Sequence, residues 1–230
     1  MQITNIKQLR FFIKADRMIN RGYFDLPIKV RIKSFFVRDN ILDYLYYMRC
    51  YSYSLHGCDF KKRFGVLFGG AINSLAKLYY GYRFHKLGLK LGFSIGPDVF
   101  DYGLRLTHYG TMVIGTNNTI GKFALIQPST CIEGQGDKIG DNFYLSTGAK
   151  VVKKITIADN VIIGANAVLN KTIITPNVMV AGIPAIVKGA WKPWWQGSEE
   201  EIKVDKIEYL KKTYGYNDAK NKCFDECAKW

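Results

Sequence analysis

Between Ile139 and Ile174 the chain reads IGDNFY LSTGAK VVKKIT IADNVI IGANAV LNKTII, with an aliphatic residue opening every sextet. These openings are Ile139, Leu145, Val151, Ile157, Ile163 and Leu169, and the fifth places are Phe143, Ala149, Ile155, Val161, Ala167 and Ile173. Leu, Ile and Val make up roughly a quarter of ordinary residues, so six in step arise by chance about once in several thousand. A period of six suits neither a lone helix nor a half-exposed strand. It suits a parallel β-helix of hexapeptides, each one short strand plus a turn, three to a triangular coil. Upstream, Ile114, Ile120, Ile126 and Ile132 keep the step, with one extra residue before Ile139. Downstream the pattern fades through TPNVMV into VAGIPA, where Pro184 suggests the last coil. Buried parallel strands of an α/β fold would need crossovers of a dozen or more residues, and there is no room for them.

Residues 1–92 are patterned differently. Ile41, Leu42, Leu45, Met48, Tyr51 and Leu55 recur at helical steps after Asp39 or Asn40 as cap, and Ala71, Leu75, Leu78 and Tyr79 do the same after Gly69-Gly70. The style changes between Gly88 and Gly96. Leu106 and Ile114 then stand eight positions apart, which predicts a loop or bulge beside His108. Past WKPWWQG, whose tryptophans are expected to pack on the prism end, SEEEIKVDKIEYLKKTYGY has a capping-box start and reads as a surface helix. The expected class is α+β: a basic helical domain over 1–92, a left-handed parallel β-helix over 93–190 and a helical C-terminal tail over 191–230.

Charge sharpens this division. The net charge is +14, and residues 1–92 hold 17 Lys/Arg against 5 Asp/Glu. Such a region suits phosphates or an anionic membrane surface. Nucleic acid is disfavoured because no binding motif or metal-finger spacing accompanies the charge. Cys50, Cys58, Cys131, Cys223 and Cys227 lack metal-ligand spacing and read as reduced thiols of a cytoplasmic protein. No stretch has the apolar core of a signal peptide or a spanning helix, so any association with the inner face of a membrane is peripheral.

Of His56, His85 and His108, only His108 falls in the prism. Its segment, LRLTHYGTMVIGTNNTIGKFALIQPSTCIEG, resembles the active-site coils of the serine acetyltransferases and related hexapeptide-repeat acyltransferases, through Leu106, His108, Gly110, Met112, Val113, Ile114 and Gly115. The likeness covers about 93–190. The opening FFIKADRMINRGYF is similar to serine-acetyltransferase-like proteins that accompany bacterial surface-glycan enzymes. This resemblance implies an acetyl-CoA-dependent O-acetyltransferase, homotrimeric, with His108 as general base. It implies that Gly134, Thr147, Gly148, Ala165, Asn166, Lys171 and Gly182 contact the coenzyme, with Lys171 and Lys188 available to its phosphates. No metal is expected: a zinc site on the prism would need three histidines. A nucleotide-transferase domain would need a Gly-rich loop that residues 1–92 lack.

Departures from serine acetyltransferase bear on the acceptor. Thr107 stands where that family has an ammonium-binding aspartate, and Phe93 where it has the aspartate partnering the histidine. Gln135 and Gly136 stand where it has an Arg-His pair. A serine zwitterion would leave its charges unpaired there. The expectation is therefore a sugar hydroxyl in bacterial surface-polysaccharide synthesis, with Tyr102, Tyr109 and Gln127 meeting the acceptor and Asp98, Asp101 or Glu133 orienting His108. The alternatives are serine O-acetylation and a non-catalytic prism used as an assembly module.

Overall fold

The computed structural model describes residues 1–57 and 66–215. Three helices come first: α1 (Ile6–Arg21), α2 (Ile28–Phe36) and α3 (Asn40–His56). Asp39 caps α3 by accepting the Leu42 amide. A longer helix, α4 (Val66–Leu91), runs beside α3 and leads directly into the prism, so LGLKL ends a helix rather than opening a coil. No described helix is long and apolar enough to cross a membrane.

The hexapeptides form three parallel sheets. The first face stacks β1 (Phe93–Ile95), β3 (Met112–Ile114), β6 (Thr130–Ile132), β9 (Lys150–Val151) and β12 (Val168–Leu169). The second stacks β4 (Thr119–Ile120), β7 (Lys138–Ile139) and β10 (Thr156–Ile157). The third stacks β2 (Arg105–Leu106), β5 (Leu125–Ile126), β8 (Tyr144–Leu145), β11 (Ile162–Ile163) and β13 (Val178–Gly182), and ends on β14 (Ala185–Ala190). Ile120 pairs with Ile139 and Ile139 with Ile157, and Leu145 pairs with Ile163. Every opening aliphatic from Ile139 to Leu169 is buried in one continuous core, each contributing about 1.5–3 kcal/mol. The pattern fades where expected, because β14 turns back antiparallel on β13 through Gly182 and a cis Ile183–Pro184 bond.

Asparagines line the corner between the second and third faces. Asn142, Asn160 and Asn177 all have positive φ, and their side-chain amides link coil to coil. Asn tolerates this conformation better than most residues. Beside them, burial pushes the Asp141 carboxyl up to about 6, against the Lys122 amide that it accepts. The folded chain therefore holds a proton on Asp141 that the unfolded chain releases near pH 4, so stability falls as pH rises from about 4 to 6. Asp141→Asn is expected to flatten that decline and to add on the order of 1–2 kcal/mol near pH 7, read from urea midpoints across the range.

Two of the tail's tryptophans pack on a side corner of the prism rather than on its end. Trp194 donates to the Phe123 carbonyl at 2.7 Å and Trp195 to Asn142 Oδ1 at 2.8 Å. Helix α5 (Glu200–Tyr214) follows, with the expected reciprocal cap shifted by one residue: Ser198 Oγ accepts the Glu200 amide at 3.3 Å and Glu201 Oε2 reaches back to the Gly197 amide at 2.9 Å, while Glu199 makes no side-chain bond to the helix. Cys50 and Cys131 are free thiols, and Cys58, Cys223 and Cys227 lie outside the described residues.

One buried ion pair joins the helices to the first coil. Arg49 of α3 and Asp16 of α1 are both inaccessible, with Nε to Oδ2 at 2.7 Å. Arg49 also donates to the carbonyls of Phe100 and Asp101 at 2.8 and 2.7 Å. Asp16 Oδ1 accepts the amides of Gly103 and Leu104 at 2.9 and 3.0 Å. Burial drives the Asp16 carboxyl above its ordinary range, opposed by Arg49 and these amides.

Candidate active site

β2 is the outermost strand of the third face, so its outer backbone groups have no neighbouring strand. Asn20 of α1 substitutes for one: its Nδ2 donates to the Leu104 carbonyl at 2.8 Å and its Oδ1 accepts the Leu106 amide at 3.1 Å. A primary amide can do this because it carries a donor and an acceptor side by side. The chain then leaves β2 through Thr107, His108, Tyr109 and Gly110, the irregular turn expected from the sequence. Gly110 has φ 140, its amide reaches the Leu91 carbonyl, and an added Cβ would meet Pro128 at 3.1 Å. Thr107 Oγ1 donates to Gln127 Oε1 at 2.9 Å on the next coil. His108 and Tyr109 project into solvent, and His108 makes no hydrogen bond among the described residues.

The corner between the third and first faces carries most of the expected coenzyme contacts. Below the His108 turn come Gln127 and Pro128, then Thr147 and Gly148, then Ala165 and Asn166, and then Gly182 at the end of β13. Amides tie the levels together, Gly148 to the Pro128 carbonyl and Asn166 to the Thr147 carbonyl. With coils about 4.8 Å apart, Thr147 lies about 10 Å below His108 along the prism, Asn166 about 15 Å and Gly182 about 19 Å. Gly148 has φ 75, and an added Cβ would collide with the Asn166 amide, which keeps the corner flat.

Gly134 and Lys171 are elsewhere. They belong to the corner between the first and second faces, Gly134 packed on Gly115 and Lys171 following β12. A full side of the prism separates the two corners, up to about 20 Å for a six-residue repeat. Within one protomer, Gly134 therefore cannot donate to an oxyanion formed at His108. Lys188 is exposed on β14.

Several residues expected around His108 are committed to other partners. Asp98 binds Ser52 Oγ at 2.5 Å and His56 Nε2 at 2.7 Å, near the C-terminal end of α3. Asp101 is buried and accepts the Tyr102 amide. Tyr102 is fully buried among Phe11, Phe12 and Phe123, with its hydroxyl on Glu208 of α5, so it cannot stack on an acceptor. Glu133 holds Gln135 and the Lys153 amide on the Gly134 corner. Within one protomer, none of these three carboxylates bonds to His108.

What surrounds His108 instead comes from the helical domain. A cleft of about 830 Å³ is bounded by Thr107, His108 and Tyr109 on one side and by α1, α2 and the start of α3 on the other. The helices bring Arg17, Arg21, Tyr23, Arg38, Asp39, Asp43, Tyr46 and Tyr47. Asp39 and Asp98 are held by opposite ends of α3, and the 14 residues from Asp43 to His56 span about 20 Å at 1.5 Å per residue. Sequence reasoning missed all of these cleft residues. Their only trace was the excess of cations in residues 1–92.

Comparison with known proteins fits this architecture. No family model matches the chain. Serine acetyltransferase of Staphylococcus aureus strain Mu50 is 34% identical over 127 residues, covering 51% of this chain and 54% of that protein. The Staphylococcus epidermidis serine acetyltransferase of strain ATCC 12228 is 32% identical over 126 residues, with the same shares. The chain thus spans about half the length of the curated relatives it matches. Among solved structures, soybean serine acetyltransferase superposes with TM-score 0.54 at 19% identity, covering 79% of this chain and 69% of that one. A serine acetyltransferase in complex with CoA superposes with TM-score 0.53 at 16% identity, covering 80% and 69%. These superpositions establish the fold as the left-handed β-helix of those enzymes. Over half its length the chain is similar in sequence to serine acetyltransferases, and over about four-fifths it shares the left-handed β-helix fold of the solved ones.

Proposed function

We propose that the chain is an acetyl-CoA-dependent O-acyltransferase with His108 as its general base. The observation that carries this reading is the position of His108, solvent-facing and without a partner among the described residues, at the head of the corner that presents Thr147, Gly148, Ala165, Asn166 and Gly182. A hydroxyl is a weak nucleophile, and imidazole can take its proton near neutral pH. The oxygen then bonds to the thioester carbon, the oxyanion collapses, and the C–S bond breaks. The departing thiolate takes the proton from the imidazolium, leaving an acetyl ester and free CoA. Donors for the oxyanion would be backbone amides. For Gly134 and Lys171 to serve the same reaction, their corner must come from a neighbouring protomer. A closed homotrimer provides this, and its mass by light scattering tests it.

Serine is the better-supported acceptor, because the curated relatives are serine acetyltransferases. This weighs against the sugar hydroxyl expected from the sequence. Two observations keep the sugar as a second reading. Thr107 is engaged by Gln127 at the place of the expected aspartate. The cleft beside His108, about 830 Å³, has the size of sites that take ligands larger than an amino acid. The test is thiol release from acetyl-CoA with serine, hexoses, amino sugars and lipid-linked glycans. Serine turnover at kcat/KM of about 10⁴ M⁻¹s⁻¹ or more would remove the sugar reading. Absence of transfer to every acceptor, together with absence of acetyl-CoA binding, would leave the non-catalytic prism.

A further inference from the structure

We propose that Arg17 receives an anionic group of the acceptor, in a pocket that the helical domain builds beside His108. Five charged side chains from the helices line the cleft: Arg17, Arg21, Arg38, Asp39 and Asp43. Four of them are paired. Arg21 Nε meets Asp39 Oδ2 at 2.6 Å, and Arg38 Nε lies 3.6 Å from Asp43 Oδ2. Asp39 is further occupied as the cap of α3. Arg17 is left over: its guanidinium makes no hydrogen bond or ion pair among the described residues.

Arg17 is also partly buried, within electrostatic reach of Asp43 and Tyr23 but hydrogen-bonded to neither, and a cation withdrawn from water without a hydrogen-bonding partner is costly. Its place is held by the helix around it. Asp16 and Asn20, one residue before it and three after, are both fastened to the strand that leads to His108. Those contacts fix the backbone from which Arg17 reaches the cleft. A guanidinium presented in this way is suited to a carboxylate or phosphate, which it binds through two parallel hydrogen bonds. The remaining wall carries Tyr23, Tyr46, Tyr47 and Tyr109, apolar bodies with polar tips that suit an organic ligand. The cleft is dry enough to matter, since burial pushes the Asp43 carboxyl above its ordinary range in spite of Arg38, Arg83 and Arg17 itself.

The inference deepens the proposed function, because the anion is placed relative to His108 as the base. It also bears on the missing counter-charges. The cation absent from the prism loop at Gln135 and Gly136 is supplied by α1. The anion can be the carboxylate of an amino acid, the carboxylate of an acidic sugar, or a phosphate.

The experiment measures equilibrium binding by calorimetry for matched probes: serine against ethanolamine, glucuronate against glucose, and glucose 6-phosphate against glucose. These are titrated into the wild-type full-length protein, Arg17→Gln and Arg17→Lys. At least one anionic probe is expected to bind the wild type about tenfold or more tighter than its neutral counterpart. Arg17→Gln should lose that preference, and Arg17→Lys should recover part of it as a point charge. The pair that shows the preference identifies the source of the anion. The proposal is overturned if the wild type prefers no anionic probe, or if Arg17→Gln keeps the preference at an unchanged melting temperature. Arg17-dependent binding with no acetyl transfer to any acceptor would sink the proposed catalysis and leave the anion site standing.

Discussion

Replacing His108 with alanine is expected to slow acetyl transfer by about 10²–10⁴-fold, the usual contribution of a positioned general base. Fold and acetyl-CoA affinity should be nearly unchanged. The side chain is exposed and holds no hydrogen bond among the described residues, so its removal leaves neither a cavity nor an orphaned partner. The residues of the corner below it, from Thr147 to Gly182, stay in place because they are tied by their own coil-to-coil amide bonds. The checks are thiol release for the rate, titration with acetyl-CoA for affinity, and melting temperature for the fold. A mutant that retains full transfer would refute the assignment. One that loses acetyl-CoA binding would show His108 to be a contact rather than a base.

Arg49→Ala is expected to destabilise the protein by about 3–5 kcal/mol, because it leaves a buried carboxylate without its counter-charge. Asp16 would keep the Gly103 and Leu104 amides but lose both bonds to the guanidinium. The carbonyls of Phe100 and Asp101 would lose their donors as well. The penalty should depend on pH in a particular direction. Without Arg49 the folded Asp16 carboxyl rises further, so the native state retains a proton that the unfolded chain gives up. The mutant then loses stability as pH rises through the interval between the two values, and the deficit is smaller at pH 5 than at pH 8. Urea midpoints at both pH values measure this. A double replacement, Asp16→Asn with Arg49→Met, removes the charge itself and should recover part of the loss. Equal deficits at both pH values, or none, would show that the pair does not act as described. Activity should fall with stability in the single mutant, because the same residues hold the coil from which His108 projects.

The relation between sequence and structure differs sharply between the two domains. In a hexapeptide prism each residue's direction follows from its place in the sextet, so periodicity alone says what is buried. That is why Ile139 to Leu169 were legible as core and why the eight-residue step after Leu106 marked an irregular turn at His108. It is also why Thr147, Gly148, Ala165 and Asn166 fall together on one corner. Corner identity was the weak point: Gly134 and Lys171 also occupy turns, but one side of the prism away.

Helical periodicity says which face of α1 or α3 is buried, and not what it is buried against. The partners of Asp16, Asn20 and Arg49 lie in the coil from Phe100 to Leu106, more than fifty residues further on for α3 and more than eighty for α1. The same docking covers Tyr102 from above with α5, which turns a candidate sugar platform into core, and draws Asp98 to His56 and Ser52. Sequence by itself thus determined the prism, its register and the exposed histidine, because those follow from local repetition. Only the tertiary structure decided the walls of the cleft and the place of Arg17 within it, because these depend on how an amphipathic helix settles on a strand edge that no local pattern encodes.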